Sequence, residues 1–381
     1  MTTLDLAALD TLVRERFAPR ERDFHDRAAL PLANLQDLHA AGWLRATLSA
    51  PQGGGSHLRS ADPAPYLQAV RTVARVSPGT AHCLQVHNHA VWTLDELGTQ
   101  QQRARFLSPL AERLTLFSFL GSEPGLQLGA SAFQTTATRE AGGLRVQGRK
   151  FYATNGVEHG LGIAFASLAG VDGMAQNHQM VLVEPGMAGV QQEAGWYQPG
   201  GMRVAASPQV ALDQVFVPDS HVLGAPGAYI AGRWQGRFHL GFTANYLGAA
   251  EGVFGWTLDW LRTLPGKLAD PFVQAHVGES RVALYAAEAA FERAIDAWRG
   301  GDTVQAELAS MAAKSICAQS ALQVAATMGR LAGSTALFDR YPLARLVRDL
   351  QTHILHVGHD RTHQTIGQAA LGQSFDSTRQ R

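Results

Sequence analysis

Four histidines close to the C-terminus, His353, His356, His359 and His363, are the residues whose type and spacing first suggest chemistry. Imidazole titrates near neutrality, so it can hold or hand over a proton where most side chains cannot. His353 and His356 are three apart, which on a helix turns both rings to one face and lets both reach one reacting group. His359 and His363 are four apart, a spacing used by paired metal ligands, yet no cysteine or carboxylate stands at a supporting interval. No metal site is therefore expected, and these two read as core hydrogen-bonding or solvent-facing side chains. His87 and His89 fit either a substrate-facing or a surface position. Cys83 and Cys317 are the only cysteines, which excludes a disulfide framework, a cysteine-rich zinc site and an iron–sulfur cluster, and fits a reducing, cytoplasmic setting. Pro51-Gln52-Gly53-Gly54-Gly55-Ser56 has the glycines of a phosphate cradle, but no Lys-Ser/Thr follows and no strand precedes, so it reads as a loop.

The elements that must position these residues follow from periodicity. Leu6, Leu9 and Val13, then Leu32, Leu35 and Leu38, then Val86, Ala90 and Leu94 recur at helical spacing, so residues 1–117 form an N-terminal helical domain. Over 118–232 the period changes: Leu144 to Phe151 alternates, Met180 to Val183 is a short apolar run before Pro185-Gly186, and Val210 to Val217 ends at Pro218. With Gly142-Gly143, Asn155-Gly156 and Gly200-Gly201 as turns and no crossover helices, this segment is expected to be an antiparallel barrel or sandwich. Helical periods return over 233–381, with Val282, Leu284-Tyr285, Ala289 and Ala290 in one stretch and Leu346, Leu350 and Ile354 in another, and long helices with short connections make a bundle. The fold class is α+β, with a helical domain, a β domain and a helical bundle in that order.

Composition narrows the partners. The 381 residues carry 32 Lys+Arg against 32 Asp+Glu, a net charge of zero with no run of like charges, which argues against nucleic acid. The longest nearly uncharged apolar stretch, Leu161 to Val171, is about half of a membrane span. The first six residues hold an acid and no basic region, so no secretory signal is expected.

Ser122-Glu123-Pro124-Gly125, Gly148-Arg149-Lys150-Phe151-Tyr152-Ala153-Thr154-Asn155-Gly156, Gly201-Met202-Arg203 and Val215-Phe216-Val217-Pro218 stand in the order and spacing of the acyl-CoA dehydrogenase middle domain. Gly98 to Gln102 with Phe106-Leu107, and Tyr341-Pro342 with Arg348-Asp349, extend the likeness over nearly the whole chain, which resembles the acyl-CoA dehydrogenase superfamily. The resemblance implies a helical domain, a β barrel and a four-helix bundle, a flavin between barrel and bundle, and a homodimer or homotetramer. It places Phe119, Gly121 and Ser122 on the pyrimidine side of the flavin, and Tyr152 and Thr154 at the ring and N5. The arginine that reaches a neighbour's flavin adenine in this family corresponds to Arg262, in Arg262-Thr263-Leu264-Pro265-Gly266. There the family's stacking phenylalanine is missing, so FAD is expected and FMN is compatible.

What departs from the family is the base. An acyl-CoA dehydrogenase needs a placed carboxylate to take the α-proton of its thioester. In most members it lies eight residues after the last-helix aspartate; counted from Asp349, that position is Val357, followed by Gly358 and His359. The alternative position on an earlier bundle helix is Phe238. Glu251, Asp339 and Asp360 are the nearest acids, and exposed helix faces suit each of them. Thr352-His353-x-x-His356 with Ile366-Gly367, and Asp270-Pro271-Phe272 with Val277-Gly278-Glu279, are similar instead to the two-component flavin monooxygenases of this fold. That branch lets reduced flavin react with O₂ behind apolar walls, with a proton donor at hand, a role that suits His353 and His356. The expected activity is oxygenation of a small organic substrate with a partner flavin reductase. The alternatives are an acyl-CoA dehydrogenase with an atypical base, coupled to an electron-transfer flavoprotein, or an inactive flavin- or acyl-CoA-binding homologue.

Overall fold

Helix signals in the sequence account for where the chain starts to coil. The computed structural model describes residues 4–48, 63–125, 132–355 and 358–375. The Pro51–Ser56 loop and His356 lie outside them. Asp5 caps helix α1 (Leu6–Leu12) by accepting from the Ala7 and Ala8 amides. A π-helical stretch, Val13–Phe17, joins it to α2 (Ala18–Arg27). Then come α3 (Leu32–Ala40), α4 (Ala64–Ala74), α5 (Pro78–Leu97) and α6 (Gln100–Phe106), the last opened by a reciprocal Thr99/Gln102 capping box. Leu9, Val13, Leu35 and Leu38 are buried, as their spacing requires. Helix α5 departs from one-sided amphipathicity: every residue from Pro78 to Asp95 is buried, so it runs through the interior, sealed by α4, the sheet and the bundle.

The sheet holds eight strands: β1 (Leu116–Leu120), β2 (Thr136–Glu140), β3 (Gly143–Lys150), β4 (Gly160–Leu168), β5 (His178–Val183), β6 (Val190–Glu193), β7 (Gln209–Pro218) and β8 (Val222–Leu223). Their order is β6-β7-β3-β2-β4-β5-β8, with β1 also on β4 and the short helix α7 (Met174–Asn177) before β5. Two features differ from the antiparallel barrel or sandwich of the sequence reading. The sheet is open, and β1 and β2 both run parallel to β4. Parallel pairing needs a long crossover, and between β1 and β4 the β2–β3 hairpin supplies it, with no helix among the described residues, so no helical period marks the crossing.

The last third consists of α8 (Ala228–Ala231), α9 (Trp234–Arg262), α10 (Pro265–Leu268), α11 (Pro271–Arg299), α12 (Thr303–Ala332), α13 (Leu343–Ile354) and α14 (His359–Ala370). Asp270 and Asp302 cap α11 and α12, and the three long helices pack on one another and on α4 and α5 in a continuous core. Of the apolar stretch on α11 only one face goes inward: Leu284 is buried, while Val282 and Tyr285 stay 67% and 59% exposed.

Candidate active site

Three parts of the chain bring polar groups into the apolar centre: α5, the loop after β3, and α13. On α5 the side chains of His82, His87 and His89 are all sealed from solvent. The loop after β3 turns tightly through Tyr152 and Asn155, both at positive φ (56° and 73°), an unfavourable conformation for a tyrosine. Asn155 holds the loop by donating to the Cys83 and Phe117 carbonyls at 3.1 and 2.9 Å. Thr154 thereby faces α5. From the opposite side α13 presents His353.

These residues form one buried chain. Ser207 Oγ and Thr154 Oγ1 are 2.8 Å apart, Thr154 Oγ1 and His82 Nε2 3.1 Å, and His82 Nδ1 and His353 Nε2 3.2 Å. The Tyr246 hydroxyl donates to the His353 carbonyl at 3.3 Å, and the Phe242 ring lies 5.8 and 5.5 Å from the two imidazoles. Burial penalises the imidazolium, so His82 is pushed down to about 4 and is neutral at pH 7, only partly offset by a hydrogen bond with Gln85. A neutral imidazole has one N–H and one acceptor nitrogen, so His82 must accept at one end of the chain and donate at the other.

An aromatic cluster adjoins it. His89 stacks on Phe238 at 4.6 Å and approaches Phe119, Trp234 and the Tyr229 hydroxyl. Burial, then the Arg237 charge, pushes His89 down to about 3. His87 is a strut: its Nδ1 accepts from the Phe117 amide at 3.0 Å, which requires Nε2–H to donate to the Leu44 carbonyl at 2.8 Å. The sequence left His87 and His89 between pocket and surface; the structure buries both.

Of the residues singled out from the sequence, Thr154 and His353 meet through His82, Phe119 packs on His89 and Phe238, and Tyr152 stands apart beside Trp196 and Tyr197. Ser122 bridges to Phe151, whose amide donates to the Ser122 carbonyl at 3.0 Å. Glu123 is spent on structure: it forms a 2.6 Å ion pair with Lys150 and accepts from the Gln134 and Thr135 amides. Arg262 lies elsewhere, 24 residues along α9 from Phe238, about 36 Å at helical rise, where it pairs with Asp259. His359 accompanies the Ile354 carbonyl and His363 the Ser315 hydroxyl, so these two ring systems serve different neighbours. Among the described residues no three His, Cys, Asp or Glu groups converge on one point.

Carboxylates are spent away from the cluster. Glu251 pairs with Arg71 and Arg75, Asp339 and Asp360 are exposed, and Phe238 is buried among rings. Asp349, one turn before His353, accepts from the Met202 amide at 2.6 Å and pairs with Arg345. Sequence reasoning missed His82 and Ser207. Their signal was faint: His82 stands in an ordinary run, Thr80-Ala81-His82-Cys83-Leu84, and only the tertiary contact with His353 marks it.

The residues present suit a flavin. Tyr152, 47% exposed beside Trp196 at 5.0 Å, offers an aromatic wall for a planar ring, two residues from Thr154, whose buried hydroxyl meets His82 and Ser207.

Comparison with known proteins fits this geometry. Residues 6–113 match the acyl-CoA dehydrogenase N-terminal domain family model and residues 240–361 the acyl-CoA dehydrogenase C-terminal domain family model. A dibenzothiophene monooxygenase of Mycolicibacterium goodii is 26% identical over 89% of this chain and 87% of its own length. A short-chain specific acyl-CoA dehydrogenase of Clostridium acetobutylicum is 24% identical over 89% of each chain. In fold, the chain resembles TdsC of Paenibacillus sp. A11-2, a dibenzothiophene monooxygenase solved with FMN and indole, with a TM-score of 0.86, 21% identity and 98% of both chains covered.

Proposed function

Because this chain belongs to the acyl-CoA dehydrogenase family, we propose that it is a flavin-dependent oxidoreductase that uses reduced flavin and O₂ to oxygenate a small organic substrate. The observation that carries this reading is the buried His82–His353 pair joined to Thr154, in a chain whose sequence has Val357 and Phe238 at the two positions where a dehydrogenase would need a carboxylate. Bound flavin, FMN or FAD, supplies the redox chemistry. Phe119, Gly121 and Ser122 line its pyrimidine side, Tyr152 and Thr154 stand at the ring and N5, and Arg262 reaches the flavin of a neighbouring copy.

The protein's own part is proton management. With the His82 proton on Nδ1, the Thr154 hydroxyl donates to Nε2 and Nδ1–H donates to His353 Nε2. With the proton on Nε2, both bonds reverse and Thr154 turns its hydroxyl toward Ser207. In both arrangements Thr154, His82 and His353 keep one proton each, so the His82 tautomer sets which way the hydrogen bonds run between Thr154, at the β domain, and His353, in the bundle. Phe238, Phe242 and Tyr246 keep water from this path. His356, which lies outside the described residues, completes the pair of catalytic histidines, with 1–117, 118–232 and 233–381 as the working domains. Partners are a flavin reductase and further copies of this chain, for which the exposed Val282 and Tyr285 on α11 suit a helical interface.

The test is two reactions of the flavin-loaded protein. Anaerobic butyryl-CoA is expected to leave the flavin colour unchanged, whereas reduced FMN and O₂ with indole or dibenzothiophene are expected to give a product one oxygen atom heavier. Bleaching by butyryl-CoA within a turnover would replace this reading with the dehydrogenase one.

A further inference from the structure

A second cavity lies apart from the histidine cluster. A cleft of about 910 Å³ opens between the N-terminal helices, α4, the second half of α9 and the start of α13. Its size lies in the range of small-molecule sites. Val13, Val76 and Leu346 give it an apolar floor, and Trp256 and Tyr341, 5.9 Å apart, an aromatic wall. The cleft side of the N-terminal helix is where its π-helical stretch, Val13–Phe17, falls, and such stretches are uncommon and frequent at ligand sites.

Charge around the cleft does not cancel locally. Arg14, Arg22 and Arg75 face Asp10, Asp26 and Glu251, and Asp259 is held by Arg262. Among the described residues Arg203 donates to the His25 and Asp26 carbonyls and forms no ion pair. Among the described residues Arg340 and Arg348 form no ion pair, although Arg340 lies over the Tyr341 ring at 4.9 Å. Glu21 is met by Arg345, and among the described residues Asp339 is the one cleft carboxylate with no cation, against these three guanidinium groups.

Position matters as much as sign. Tyr341 and Arg348 are seven residues apart on or beside α13, two turns or about 10 Å. That separation is the length of a nucleoside monophosphate or of a two-ring aromatic acid. We propose that the cleft is a second small-molecule site, for an organic anion carrying a planar ring, with the ring on Trp256 and Tyr341 and the anionic group between Arg203 and Arg348. Guanidinium groups recognise phosphate and carboxylate with paired N–H donors, and a site with two of them discriminates against neutral analogues of the same ring. The inference stands apart from the flavin reading, since no cleft residue belongs to the histidine cluster.

Isothermal titration of FMN-saturated protein with AMP and, separately, with 2-naphthoate tests it, after flavin content has been measured so that a failed flavin site is recognised on its own. At least one probe is expected to bind, and which one does so tells whether the anion is a nucleotide phosphate or an aromatic carboxylate. Adenosine and inorganic phosphate should bind at least about tenfold more weakly than AMP. Arg348→Ala and Trp256→Ala should each weaken the probe by about tenfold or more with flavin content unchanged. No binding of either probe at millimolar concentration, or binding unaltered in both variants, would overturn the proposal.

Discussion

At the scale of single residues, the hydrogen-bonded imidazole pair makes the sharpest demand. Replacing His82 or His353 with Phe keeps the bulk and removes the ring nitrogens, so folding and flavin binding should persist. What should change is coupling: each variant should release more hydrogen peroxide per substrate oxygenated than the parent, read from peroxide and product in the same assay. Equal coupling in all three proteins would return both histidines to a packing role. Thr154→Ala removes the hydroxyl between Ser207 and His82 and should weaken flavin binding by about 1–3 kcal/mol if a buried hydrogen bond to the ring is lost with it. Flavin titration reads this directly, and unchanged affinity would place the ring elsewhere.

At the scale of elements, the cluster depends on α13 and the Gly201–Ser207 segment meeting at a fixed distance. Asp349 ties them through the Met202 amide, so the helix that carries His353 is fastened to the segment that carries Ser207. Gly201 allows the approach, because a Cβ there would overlap the Arg348 carbonyl oxygen. Gly201→Ala should therefore cost about 1–3 kcal/mol of stability by forcing the two apart, whereas Gly200→Ala, with no atom within 4 Å of its new Cβ, should stay within about 0.5 kcal/mol. Thermal unfolding of both variants checks the contrast. Equal behaviour would mean that α13 has room to move.

At the scale of the whole molecule, the buried carboxyl of Glu21 links the N-terminal domain to the bundle. It meets Arg345 of α13 and Asn34 of α3, and Asn34 in turn reaches Thr80 at the start of α5. Burial outweighs the Arg345 charge and raises Glu21 from 4.5 to about 7. A carboxyl raised on folding binds more protons in the folded than in the unfolded state between those two values. Its contribution is full at low pH and is lost as pH rises from about 4.5 to about 7. The size is of the order of 3 kcal/mol. Denaturant unfolding across pH 5 to 8 should show parent stability falling relative to Glu21→Gln, which cannot titrate. Parallel curves would mean that Arg345 keeps the carboxyl ionised throughout.

Local patterns carried much of this protein in the sequence alone. Helical periods marked α1, α3 and the long bundle helices, alternation marked β3 and β7, and the order of the Ser122–Gly125, Gly148–Gly156 and Tyr341–Asp349 motifs identified the family, because each depends on residues close together in the chain. Phe238 could likewise be read as closing one position for a base, since a residue type is visible without a fold. The rest arose from contacts across the chain. His82 and His353 are 271 positions apart, Thr154 and Ser207 53, and nothing local to any of them announces the partner. The parallel β1–β4 pairing was hidden because a hairpin, not a helix, makes its crossing. The burial of α5 on every side was hidden for a related reason: periodicity reports a boundary between core and water, and a helix wholly inside the core has none.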